Sequence, residues 1–350
     1  MKLHHRIKRH VKPHHFHFAH GWLWGVAALA LAILIYIGVT DGYFRYWFGN
    51  DFDIVNTHEV IQTSREADVL FDTMRNVNIQ STVLVGTPYE VIYYDGGTGF
   101  TGYEQNNKAV LDAQAGNPVR FTAFCTIDPS NESYMDTVEE CVANGAQGFK
   151  LYSGHSFFYD KALDDASMLA FYDYVQENNI PVIFHVNTSK YQEEFENVLT
   201  LYPDMKVVCP HFCLSSRNLQ TLSYLFDTYP NLYTDISFGD ESYLLDGIQF
   251  ISEDIETYRE FITKYADRFF YGTDIVVTDY EGKDEAWLVD LFQTYRDLLE
   301  QETFTTFLSE ETFNGLYLDY ETLTQIYEDN WNALLEPVVV HEEESEEVEE

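Results

Sequence analysis

Positive charge is scarce in this chain, with 20 Lys and Arg against 58 Asp and Glu among 350 residues. Lys2, Arg6, Lys8, Arg9 and Lys12 all fall in the first 40 residues, which hold no Asp or Glu, so 15 basic residues face 58 acidic ones beyond that point. A body without a positive footprint excludes nucleic acid as a partner, because phosphate binding needs Lys and Arg on one face. It equally argues against lying flat on anionic lipid, and reads as a solvated acidic surface. Cysteine is scarce too. Four residues, Cys125, Cys141, Cys209 and Cys213, are too few for a disulfide scaffold in a chain this long. Cys209 and Cys213 bracket Pro210-His211-Phe212 like a metal knuckle, but no second pair follows and Cys209 falls in an expected strand, so buried thiols are expected. No Gly-rich turn follows the first strand, which argues against a dinucleotide-binding open sheet.

Long apolar runs are absent with one exception. Gly21 to Thr40 is 20 residues without a charge, and at 1.5 Å per residue such a run reaches about 30 Å, the thickness of a bilayer core. Trp22 and Trp24 stand at one end, with Tyr36, Tyr43 and Trp47 at or past the other, where amphipathic rings prefer to lie. No small-residue cleavage site follows, so an uncleaved transmembrane helix is expected rather than a signal peptide. The basic flank before it and the acidic body after it put the N-terminus in the cytoplasm and the body outside, with the lipid bilayer as a partner through residues 21–40. The resulting division is a basic tail over 1–20 with seven histidines (His4, His5, His10, His14, His15, His17 and His20), a membrane helix over 21–40, a linker over 41–51, a globular body over 52–336 and an acidic tail over 337–350. The tail histidines are read as reinforcing orientation, with metal collection as the alternative.

In the body, short β-branched and aromatic runs alternate with helical stretches. Strands are predicted near 53–60, 79–86, 119–126, 146–151, 181–186, 206–211, 232–237 and 268–274, with helices between them and further helices over 301–336. Eight strand–helix units over roughly 250 residues have the count and size of a (β/α)8 TIM barrel. Strands such as Val182-Ile183-Phe184 are apolar on both faces, as a sheet inside a ring of helices requires.

Five histidines lie beyond the tail: His58, His155, His185, His211 and His341. His58, His185 and His211 end predicted strands 1, 5 and 6, at the rim where barrels build their sites. Asp274 ends strand 8, and Lys150 lies on strand 4. Imidazoles and a carboxylate suit one divalent ion, zinc by preference, which acidifies a water for attack on a small-molecule substrate while Asp274 shuttles the proton. His58, His185, His211 and Asp274 are the candidate metal ligands; Asp274, His211 and Lys150 are the candidate catalytic residues. His155, after strand 4, and Tyr89, in a long Gly- and Tyr-rich loop over 87–100, are candidates for substrate contact. That loop reads as a lid or as plain surface. Asp235 on strand 7 either orients a ligating histidine or caps the next helix.

Taken in order, Val55-Asn56-Thr57-His58-Glu59-Val60, Gly148-Phe149-Lys150-Leu151, Pro181 to His185, Val207 to His211, Tyr271 to Asp274 and the terminal Ile326 to Leu335 make residues 52–336 resemble the amidohydrolase superfamily. The branch resembled is amidohydrolase family 2, which holds the aminocarboxymuconate-semialdehyde decarboxylase-like enzymes. The resemblance implies a TIM barrel and a metal-dependent hydrolase acting on a small amide, ester or lactone, or a decarboxylase using the same site. It also makes a carboxylated Lys150 conceivable, beside the preferred reading of a buried cation. One departure stands out. Val60 takes the place of the second histidine of the strand-1 Asp-x-His-x-His motif, and Asn56 that of its aspartate. Because side chains alternate, 56, 58 and 60 are expected on one face. The degenerate motif leaves a third reading open, a non-catalytic surface-displayed barrel without its metal. Substrate and oligomeric state are not legible, and an oligomer is compatible with everything above.

Overall fold

In the computed structural model the described residues are 52–93, 99–239 and 241–335. The expected basic tail, membrane helix, linker and acidic tail lie outside them. The barrel strands are β1 (Ile54–Ile61), β2 (Ile79–Val85), β3 (Phe121–Thr126), β4 (Gly148–Gly154), β5 (Val182–Val186), β6 (Val207–Val208), β7 (Leu232–Asp235), β8 (Phe269–Phe270) and β9 (Ile275–Val277). They pair in parallel, in the order β8-β7-β6-β5-β4-β3-β2-β1-β9. The last two are halves of one eighth strand, the first paired with β7 and the second with β1. Across the break, Thr57 N–H donates to Tyr271 O at 2.8 Å and Asp274 N–H to His58 O at 2.7 Å, closing the barrel where the backbone turns through Asp274. The expected parallel (β/α)8-like barrel is therefore observed.

Alternation along each strand separates two cores. Val182, Phe184 and Val186 face the surrounding helices, whereas Ile183 faces the barrel axis with Val55, Val60, Val83, Val85, Phe124, Val208 and Phe270. His185 shares the inward parity of Ile183, and Lys150 the parity opposite to Phe149 and Leu151. Strand β1 departs from regular alternation. Val55 and Val60 both face inward although they differ in parity, and the pairing with β2 shifts between Asn56 and Glu59. The expectation that 56, 58 and 60 share a face is thus corrected: the irregularity turns Asn56 away, to donate to Glu59 Oε1 at 2.8 Å and reach Thr273 Oγ1 at 3.1 Å.

The outer ring includes α1 (Glu66–Asn76), α2 (Tyr89–Ile92), α3 (Tyr103–Gly116), α4 (Tyr134–Ala143), α5 (Leu169–Glu177), α6 (Thr188–Leu201), α7 (Leu219–Thr228), α8 (Glu241–Glu253), α9 (Ile255–Lys264) and α10 (Glu285–Glu300). Side-chain caps start several of them: Asn187 accepts from Ser189 N–H, Asn218 from Thr221 N–H and Asp284 from Trp287 N–H. Residues 301–314 are not helical as expected but a hairpin, β10 (Thr303–Thr306) with β11 (Ser309–Asn314). Thr303-Phe304-Thr305-Thr306 buries every second residue, the two-residue period of a strand. The chain then closes through α11 (Tyr320–Thr324), a π-turn at Gln325–Asp329 and α12 (Asn330–Leu335). Trp331 of α12 seals the axial core against Phe124 and Phe270, with ring centroids 5.8 and 5.5 Å away.

Two expectations are corrected. Among the described residues no helix is long and apolar enough to cross a membrane. The 16-residue α10 is charged and amphipathic and at 1.5 Å per residue extends about 24 Å, short of a bilayer core. Residues 21–40, on which the anchor rested, lie outside the described residues, so the transmembrane helix, bilayer partner and single-pass extracytoplasmic topology gain no support and are withdrawn. Nor are the cysteines free thiols: Cys125 of β3 pairs with Cys141 of α4, and Cys209 with Cys213. Packing a helix on its strand brings the first pair of Cα atoms to 6.3 Å, and a tight turn brings the second to 5.0 Å, separations that disulfides span and that sequence spacing alone does not reveal.

Gly154 ends β4 against the backbone of β5. A Cβ there would sit 2.5 Å from His185 O and 2.8 Å from Val186 Cα, neither of which is a movable side-chain end. Gly154→Ala is expected to lower unfolding stability by about 1–3 kcal/mol, as overpacking does, measurable by denaturant titration; an unchanged midpoint would show that β5 yields freely.

Candidate functional site

Strands β1, β4, β5 and β7, the turn after β6 and the break in the eighth strand bring His58, Lys150, His185, Asp235, His211 and Asp274 together. His58 Nε2 lies 3.1 Å from Asp274 Oδ1, and His211 Nε2 lies 3.3 Å from Asp274 Oδ2. These three residues converge tightly enough to hold a metal ion, their ligand atoms all within 4.8 Å of one another. Asp274 has φ 52°, a left-handed conformation that Asp tolerates better than most residues, and its N–H bond to His58 O holds that turn. His211 sits in a left-handed turn as well, with φ between 51° and 58° from His211 to Leu214. The turn is secured by Thr188 Oγ1 donating to Cys213 O at 2.7 Å and by His211 N–H donating to Asp235 Oδ1 at 2.8 Å.

Hydrogen-bond partners assign the protons on two imidazoles. His58 Nδ1 lies 2.8 Å from Asp235 Oδ2. Burial works to raise the Asp235 carboxyl, but the hydrogen bond and charge of His58, then His211 and Ser237, hold it well below the usual carboxylate range. It is therefore an acceptor, and His58 Nδ1 carries the hydrogen. His211 Nδ1 lies 3.2 Å from the Ser237 carbonyl, which only accepts, and 2.8 Å from Ser237 Oγ. With Nδ1 so engaged, both residues turn Nε2 toward Asp274, the nitrogen that a metal or a proton would take.

Lys150 is 1 % exposed, and its Nζ lies 2.7 Å from His58 Nε2. Burial lowers its pKa to about 8, against the raising influence of Asp274 and Asp235. It is the buried cation expected from the sequence, and its hydrogen bond is to His58. His185 stands apart from the three-residue cluster. Its Nε2 is buried without a hydrogen-bond partner among the described residues, and burial, reinforced by His211 and His155, pushes its pKa well down. The His155 ring packs against it with centroids 4.6 Å apart, and burial lowers the His155 pKa to about 4. Phe157 N–H donates to His155 Nδ1 at 3.2 Å, leaving the hydrogen on Nε2. Tyr89 packs 5.5 Å from the Tyr93 ring at the start of the expected lid, and residues 94–98 lie outside the described ones.

Sequence reasoning left Asp235 between two roles and missed Ser237 and Glu59. Asp235 stands against His58 Nδ1 and the His211 backbone N–H. Ser237 follows it by two residues, the one local signal for it. Glu59 is completely buried beside Asn56 and Thr273, and burial raises its pKa well above the ordinary range. A buried Glu next to the strand-1 histidine was the available signal.

The Amidohydrolase family model matches residues 94–330, more than half of the chain. No curated protein matches it. Among solved structures, an uncharacterized TIM-barrel protein from Bordetella bronchiseptica aligns with TM-score 0.55 and 18% identity over 81% of this chain and 98% of its own. A probable 2-pyrone-4,6-dicarboxylic acid hydrolase from Acinetobacter baumannii gives TM-score 0.55 at 16% identity, over 81% and 99%. A 4-oxalomesaconate hydratase from Rhodopseudomonas palustris gives TM-score 0.52 at 14%, over 81% and 95%. At these identities the likeness is one of fold.

Proposed function

Because the chain belongs to the amidohydrolase family, whose model spans most of its barrel, we propose that it is a metal-dependent enzyme that decarboxylates a small carboxylic acid. The carrying observation is that the Nε2 atoms of His58 and His211 converge on Asp274 while a buried lysine bonds His58 Nε2. The donor set fits a divalent ion: His58, His211 and Asp274 supply two neutral nitrogens and a carboxylate, and the unpartnered His185 Nε2 is a further donor nearby. Lys150 Nζ shares the His58 nitrogen that would ligate the ion, and would be released from it on binding. When bound, such an ion supplies Lewis acidity to a substrate oxygen.

The chain's own residues account for the rest. Lys150 offers the positive charge that attracts a carboxylate into a strongly acidic protein. The carbon–carboxylate bond breaks, carbon dioxide leaves, and the electron pair stays on the substrate carbon. The proton which replaces the carboxyl group comes from water and is passed to that carbon through Asp274, which takes it up as a carboxylate and returns to that form. The His155–His185 pair faces the substrate as neutral imidazoles, with His155 Nε2–H as a donor. Resemblance to the decarboxylase-like branch supports this reading.

The test is a panel of small carboxylic acids, esters and lactones presented to the full chain with zinc or manganese, reading carbon dioxide release and metal content by elemental mass spectrometry. Carbon dioxide release with about one bound metal equivalent, both lost in His211→Ala, is expected. Ester or lactone cleavage without carbon dioxide would transfer the same residues to hydrolysis. Neither metal nor turnover would leave a barrel without chemistry, Val60 being the residue that departs from the family pattern.

A further inference from the structure

One buried carboxylate touches the supports of both working imidazoles. Asp235 is fully buried on β7. Its Oδ2 faces His58 Nδ1 at 2.8 Å. Its Oδ1 faces three donors: His211 N–H at 2.8 Å, Ser237 N–H at 3.1 Å and Ser237 Oγ–H at 2.5 Å. Because the Ser237 hydroxyl hydrogen points to Asp235, its oxygen is left to accept from His211 Nδ1 at 2.8 Å. The backbone carbonyl of Ser237 accepts from the same nitrogen.

We infer that Asp235 is a positioning residue that sets the tautomer of His58 by direct contact, so that the His58 Nε2 lone pair faces Asp274, while His211 holds its own tautomer through the Ser237 carbonyl. The two imidazoles depend on it unequally. His58 has Asp235 as the hydrogen-bond partner of its Nδ1, whereas His211 keeps a backbone carbonyl whatever happens at position 235. This inference rests on the reading of His58 and His211 as the working imidazoles, but its geometry stands without any particular reaction.

The asymmetry makes the test sharp. In Asp235→Asn the amide oxygen is held at the Oδ1 position, because three donors converge there. The amide NH2 must then face His58 Nδ1, and a donor facing that nitrogen drives its hydrogen to Nε2. The hydrogen on His58 Nε2 now points at Lys150 and Asp274, and the lone pair is gone from the site. His211 keeps its hydrogen on Nδ1.

The experiment is a long-range proton–nitrogen correlation spectrum of the full chain carrying 15N-histidine, with His58 and His211 assigned through His58→Gln and His211→Gln. In the wild type both residues should show a bare Nε2. In Asp235→Asn only His58 should change, to the Nε2–H pattern; in Ser237→Ala neither should change. Zinc titration of the same samples should show affinity falling about 10–100-fold in Asp235→Asn, the usual effect of losing a carboxylate behind a ligating histidine. A protonated Nε2 on His58 in the wild type overturns the inference, and needs no variant to fold. So does an Asp235→Asn spectrum in which His58 is unchanged or both residues switch. If zinc fails to bind the wild type while the tautomers are as expected, the functional proposal fails and the positioning role of Asp235 stands.

Discussion

Asp274→Asn is expected to remove turnover and metal uptake together while leaving the barrel folded. Asn tolerates the left-handed backbone at this position as well as Asp does, and the N–H bond to His58 O does not involve the side chain. What disappears is the charge between His58 Nε2 and His211 Nε2. An amide can neither carry the proton nor serve as an anionic ligand, so kcat/KM should fall by about 10²–10⁴, the range for a positioned proton-transfer group. Elemental analysis should show loss of the bound metal, with an unfolding midpoint near that of the wild type. Turnover within a few-fold of the wild type would remove Asp274 from the mechanism.

Lys150→Met should separate stability from activity. The lysine is buried, and burial pulls its pKa from 10.5 to about 8, so the folded protein bears a cost for keeping it charged. The sign is fixed: below pH 8 the lysine is protonated both folded and unfolded, and the cost is fully present. Between pH 8 and 10.5 the folded protein sheds the proton first, so wild-type stability rises with pH. A methionine of similar length has no such cost, so the variant should be more stable at pH 7 by about 1–3 kcal/mol, in line with replacement of buried charges by apolar groups. The gain should shrink as the pH approaches 10.5. Turnover should be lost at every pH, because the charge that draws in a carboxylate is gone. Denaturant titrations at pH 7 and pH 10, beside the turnover assay, check both halves. A variant less stable at pH 7 would mean that the Lys150–His58 hydrogen bond outweighs burial.

Much of the barrel was legible because its signal is periodic and local. Val182-Ile183-Phe184 reads as a doubly buried strand without knowledge of its neighbours, and His185 and His211 follow as rim residues once the strands are placed. The hairpin at 303–314 was missed because its alternation is short and carried mostly by Thr, with only Phe304 and Phe313 as strong apolar markers. Parity failed in β1, since an irregularity in pairing leaves no mark in composition. The cysteine pairs were invisible for the same reason as the site network: contact between residues 16 apart, such as Cys125 and Cys141, depends on how a helix packs on its strand.

By itself, then, the sequence determined the strand–helix rhythm, the acidic surface, membership of a barrel family and which side chains stand at strand ends, since each follows from composition, period or a local motif. Only the tertiary structure decided how those side chains work together. It drew His58 and His211 around Asp274 and left His185 outside the group, put Lys150 on His58, and placed Asp235 against the His58 imidazole and the His211 backbone. Hydrogen bonds between strands 92 and 177 residues apart in the chain require angstrom-scale placement, and barrel closure, not local preference, supplies it.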